Sequence, residues 1–112
     1  MHEYGVAAEI VRMVSDRAGG RVINKVNLQV GDLSGVFCDS LAMYCDLLFR
    51  DLQPDPAVEV VITRVAAAFE CSCGARYTPA AVLDPCPSCN GYERTVTGGD
   101  QCQIESIEVE DD

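Results

Sequence analysis

The chain opens Met1-His2-Glu3, and His2 is its only histidine. The α-amine of Met1, the amide nitrogen of His2 and a ring nitrogen of the same side chain are spaced to close fused five- and six-membered chelate rings, nearly flat. Nitrogen-rich, square-planar ligation suits nickel(II) or copper(II) and is unattractive to zinc, which prefers a tetrahedron. Chain ends are also where disorder concentrates. Position alone therefore fits a solvated terminal imidazole as well as a metal ligand.

A second chemistry sits in the cysteines. Four of the seven pair by spacing, as Cys71-Ser72-Cys73-Gly74 and Cys86-Pro87-Ser88-Cys89-Asn90-Gly91. A metal-binding knuckle needs a tight turn that points backbone amides at sulfur, and Gly or Asn after the second cysteine supplies the left-handed backbone for it. Four thiolates close a tetrahedron around zinc and leave no position for water, so such a site is structural and not catalytic. An iron–sulfur or redox-dithiol role, or unligated thiols, are the other uses of such residues. Zinc ribbons usually carry C-x-x-C in both knuckles, whereas the first pair here is C-x-C. Its turn must be tighter, which small Ser72 and Gly74 allow; with only three thiolates bound, the open position would be labile.

Cys38, Cys45 and Cys102 fall on apolar-pattern positions and read as small hydrophobes. A nucleophilic cysteine would want a histidine base, and the single histidine lies at the far terminus. There is no phosphate or dinucleotide loop either, so an enzyme is not expected.

Eighteen acids against eight bases give a net charge of −10, with no cluster of Lys or Arg. That balance argues against nucleic acid, whose binders show a basic face. It favours solubility, cations or basic protein patches. No stretch approaches the roughly 18 apolar residues of a membrane span, and no secretory leader is evident. A cytoplasmic protein with reduced thiols is expected.

These residues must be held by a small α+β framework. Val6, Ile10, Met13, Val14 and Ala18 recur at helical spacing up to Gly19-Gly20, an amphipathic helix of about fourteen residues. Val22, Val26, Leu28 and Val30 alternate with polar residues as a half-buried strand ending at Gly31-Asp32. Phe37, Leu41, Cys45, Leu48 and Leu52 share one face of a second helix, which Pro54-Asp55-Pro56 ends. Val58, Val60 and Ile62 mark a second strand, and Gln101 to Val109 a third. Its apolar phase changes between Ile104 and Ile107, which a bulge near Ser106 would reconcile. A lone strand is not stable, so the last one must return to the sheet of the first two. Residues 1–64 and 100–112 are thus expected to form a two-helix, three-stranded domain, with 65–99 inserted as a zinc ribbon.

Met1-His2-Glu3, Val30-Gly31-Asp32-Leu33-Ser34-Gly35-Val36, the four-cysteine ribbon and Gln103-Ile104-Glu105-Ser106-Ile107-Glu108-Val109 resemble, in order and spacing over essentially the whole chain, the HypA/HybF family of nickel-insertion accessory proteins of nickel-iron hydrogenase maturation. The resemblance implies a metallochaperone: nickel(II) as transient cargo at the N-terminus, structural zinc(II) in the ribbon, and delivery to the hydrogenase large-subunit precursor with a GTPase partner. Carried over by residue, the nickel ligands are Met1 (amine), His2 (ring and backbone nitrogen) and Glu3 (backbone nitrogen or nearby support). The zinc ligands are Cys71, Cys73, Cys86 and Cys89. Either a monomer or a weak, domain-swapped dimer fits this reading. The competing one is a zinc-ribbon interaction module without nickel chemistry.

The terminal chelate predicts a pH dependence. Amine and imidazole must both shed protons to bind metal, so nickel affinity should fall as pH is lowered from about 8 to about 5.5. Competition titration across that range measures it, and a flat profile contradicts the chelate.

Overall fold

Residues 2–111 are described by the computed structural model, in the order α1 (His2–Ala18), β1 (Ile23–Gly31), α2 (Cys38–Leu52), β2 (Glu59–Val65), β3 (Ala68–Cys71), β4 (Arg76–Tyr77), β5 (Arg94–Gly98) and β6 (Cys102–Val109). The strands form two three-stranded sheets, ordered β2-β1-β6 and β4-β3-β5. The architecture is α+β, as the pattern of elements requires. In the first sheet β1 is central, parallel to β2 and antiparallel to β6.

The core lies between this sheet and the helix pair. Ala7, Ile10, Val14 and Ala18 of α1, Leu41, Cys45 and Phe49 of α2, and Ile23, Val26, Leu28 and Val30 of β1 are buried together. The buried stripe of α1 thus passes through Ala7, while Val6 only packs against its margin. In β1 the inward residue at the start is Ile23 and not Val22, because the pairing with β6 shifts register between Ile23 and Lys25. A second shift sets Asn27 opposite Ser106 but Leu28 opposite Ile104. Glu105 is the extra residue, and the bulge expected near Ser106 sits there.

The chain leaves the first sheet from β2 and re-enters it as β6, on either side of the end of β1. Gly31 donates its N–H to Gln101 O (2.8 Å), Asp32 to Val65 O (2.9 Å) and Leu33 to Gly99 O (2.7 Å). The turn after β1 therefore clasps both the outgoing and the returning strand. No side chain fits in this crossing. A Cβ on Gly31 would overlap the carbonyl of Gly99, and one on Gly99, at φ +79°, would lie 2.5 Å from Ala66 O.

Gly31→Ala should lower stability by about 2 kcal/mol or more, a Tm drop of roughly 8 °C. Gly5→Ala is the contrast: a Cβ there meets nothing within 4 Å, and inside α1 the change should stabilise by about 0.5–1 kcal/mol. Thermal unfolding by circular dichroism compares the two, and equal effects would remove the steric account of the crossing.

Candidate metal centre

Cys71 ends β3, Cys73 follows in its turn, and Cys86 and Cys89 lie on the loop before β5. Their four sulfur atoms all lie within 4.8 Å of one another. The Cys71 and Cys89 sulfurs are 3.5 Å apart, and those of Cys73 and Cys86 are 3.8 Å apart. A tetrahedral zinc with Zn–S near 2.3 Å holds its sulfurs about 3.8 Å apart, so the arrangement fits a tetrathiolate ion. The shortened C-x-C pair still brings Cys73 into the cluster.

Both knuckles turn as their residue types suggest. In the first, Gly74 at φ +93° donates its N–H to Cys71 O (2.9 Å); in the second, Asn90 at φ +62° donates to Cys86 O (2.8 Å). Cys71 and Cys86 are buried, Cys73 and Cys89 exposed. The Cys89 backbone N–H pulls the Cys86 thiol down to about 7. The Gly91 amide likewise favours ionised Cys89, yet the crowding sulfurs of Cys71 and Cys73 push that thiol up to about 12. Ionisation is thus favoured at Cys86 and opposed at Cys89. A bound dication would supply the charge that lets four thiolates coexist.

Arg94 locks the loop that carries the second knuckle. Its guanidinium donates to Val82 O (2.6 Å), Asp84 O (2.8 Å) and the Tyr77 hydroxyl (3.0 Å). It also lies over the Phe69 ring, 3.9 Å from the centroid. A planar, five-donor cation is suited to such convergent acceptors. Nothing in the sequence distinguishes this arginine from the other scattered bases, because two of its three acceptors are backbone carbonyls.

At the other end of the chain, Met1 lies outside the described residues. His2 begins α1, exposed, while Glu3 is buried to 5% exposure, the only charged side chain so buried among those described. The Glu3 carboxylate accepts from the Phe37 backbone N–H (3.3 Å) and lies 3.2 Å from His2 Nε2. A carboxylate only accepts, so one placed beside Nε2 favours the tautomer that carries its proton there, which would leave Nδ1 free. Nδ1 is the nitrogen that closes the six-membered ring with the His2 amide. The first amides of a helix have no intrahelical acceptor. The backbone nitrogens of His2 and Glu3 are therefore available without loss of a helical hydrogen bond.

The remaining cysteines behave as packing groups. Cys45 is fully buried, and Cys38 and Cys102 pack half-buried against the same core. Burial first, and then the neighbouring Cys102, pushes the Cys45 thiol up to about 12. Cys102 is raised by the same combination of burial and its neighbour Cys38. Thiols held protonated in this way are poor nucleophiles.

The family model for hydrogenase/urease nickel incorporation metallochaperones, HypA, matches residues 1–109. The hydrogenase maturation factor HypA of Geotalea uraniireducens is 37% identical over 111 residues, covering 98% of this chain and 100% of the relative. That of Geobacter metallireducens is 36% identical over 111 residues, with the same coverage. The solution structure of the nickel metallochaperone HypA from Helicobacter pylori has the same fold, with a TM-score of 0.67 at 19% identity over 97% of each chain. Matched almost from end to end, the chain belongs to the HypA family of nickel metallochaperones for hydrogenase maturation.

Proposed function

We propose that this chain carries nickel(II) on the Met1 amine, the ring and backbone nitrogens of His2 and the Glu3 backbone nitrogen, and keeps zinc(II) in the ribbon through Cys71, Cys73, Cys86 and Cys89. The reading rests on one observation above others: the buried Glu3 carboxylate faces Nε2 of His2, 3.2 Å away, so that Nδ1 and two helix-start amides would be free to ligate a cation. A carboxylate that holds the far nitrogen of a ligating imidazole fixes its tautomer and orientation.

The two sites divide the work. Zinc in a closed tetrathiolate shapes the ribbon. Nickel in a plane at an exposed terminus is open on two faces to the ligands of an acceptor. Copper(II) would bind such nitrogens more tightly, so selectivity comes from availability and from the receiving partner. The chain acts as a carrier and not as a catalyst, because only metal–ligand bonds change. Its partners in this reading are the maturation GTPase and the hydrogenase large-subunit precursor, met in the cytoplasm, where seven cysteines outside any disulfide stay reduced. Residues 1–64 with 100–112 handle nickel, and 65–99 form the zinc ribbon.

His2→Ala should abolish tight nickel binding while zinc content and melting stay as in the parent, and a few residues added before Met1 should do the same by removing the free amine. Calorimetric nickel titration of the untagged protein measures both. Full nickel binding by either form would favour a plain zinc-ribbon module. Cys89→Ser should lower zinc stoichiometry and unfold the ribbon first, since metal-binding free energy is folding free energy there. Metal analysis with thermal melts reads this, and unchanged values contradict a four-thiolate site.

A further inference from the structure

The helix layer is wider than the sheet below it. Paired helices lie about 8–10 Å apart and strands about 4.8 Å apart, so two helices roof roughly four strands. Here α1 packs on α2, α2 rests on β2 and α1 reaches β6, yet the sheet has three strands with β6 at its edge. A groove of about 650 Å³ results between α1 and β6. Val6, Ile10, Met13, Cys102 and Ile104 line it, and His2 and Arg17 also border it. His2 to Arg17 spans about 22 Å of helix, the reach of about six or seven extended residues.

The edge itself is chemically marked. Among the described residues, the outer side of β6 has no strand partner. Ile104, Ile107 and Val109 pack toward the core, while Gln103, Glu105 and Glu108 are exposed. Among the described residues, none of Glu105, Glu108 and Glu110 has a cation within ion-pair distance. A strand laid here would turn one set of side chains into an apolar groove and the other toward acids.

We propose that the free edge of β6 and the groove under α1 receive, as a fourth strand, an extended partner segment in which apolar residues alternate with lysine or arginine. Backbone groups supply affinity and alternate side chains supply specificity in this mode of recognition. The occupant is not a second copy: β6 against β6 would crowd Glu105 and Glu108 of each copy, with the adjoining Glu110, along one seam, and like charges across a strand pair are destabilising. The inference goes beyond the nickel reading, and its test needs no metal. Because His2 borders the groove, the docked segment would lie against the terminus.

The test is fluorescence anisotropy of a labelled heptapeptide alternating valine and lysine, titrated with the full chain. Saturable binding is expected, weaker at higher salt. A peptide of equal charge with proline at its centre should not bind, because proline cannot complete the ladder. Met13→Glu, outside the buried core, should weaken binding by about tenfold, since the docked valine side chains would bury its carboxylate. Charge attraction alone predicts the opposite sign for that variant. Equal binding of the proline peptide, or tighter binding by Met13→Glu, overturns the proposal. So does sedimentation of the parent as a dimer that Met13→Glu dissolves, which would assign the groove to a second copy.

Discussion

Strands β2 and β6 flank β1, and the backbone between them must leave the first sheet and come back across the end of the strand it straddles. Everything distal to that point, including all four ribbon cysteines, hangs from two lengths of backbone that pass within contact of Gly31. The crossing is held by three hydrogen bonds from consecutive residues, Gly31, Asp32 and Leu33, to carbonyls on both lengths. Backbone this close excludes a Cβ at Gly31 and at Gly99. Core packing alone could not set this junction, because its atoms are peptide groups whose partners are other peptide groups.

The same turn ties the sheet to the terminus. After Gly31 the chain runs through Gly35, at φ +76°, to Phe37, whose N–H meets the Glu3 carboxylate just before α2 begins. Glu3 is thus anchored from the far side of the fold and presents its oxygen to His2. Tyr4 and Tyr44 meet edge to face at 5.4 Å and pin α1 to α2 one residue further along. A helix start that would otherwise fray is tied to the second helix by one buried acceptor and one aromatic pair.

Much of this was legible before any coordinates. Alternation in Val26-Leu28-Val30 and the phase change between Ile104 and Ile107 located β1 and the bulge in β6, because burial on one face leaves a period-2 record. The cysteine spacing, with Gly74 and Asn90, located the four-sulfur cluster, because left-handed turns restrict residue type. The inward place of Ile23 was not legible, since the register shift that sets it depends on a partner strand about eighty residues away. Arg94 was equally silent. Its role is defined by the carbonyls of Val82 and Asp84, which carry no side-chain signature. Nor could composition show that Glu3 is buried, because a glutamate in the first turn of a helix is also what a solvated cap looks like.

The two proposed metal centres differ most in what must move for a ligand to exchange. In the ribbon, Cys71 and Cys86 are buried, and the knuckle loop is held by the bonds of Arg94 and by the turn at Asn90. Ligand exchange there would require opening the unit itself. At the terminus the His2 side chain is 59% exposed and only the first turn of α1 is involved. Local openings at a helix end cost far less than opening a folded unit. On the proposed reading, one chain would keep one ion and surrender another on contact, with no difference needed in how strongly each bare ligand attracts metal.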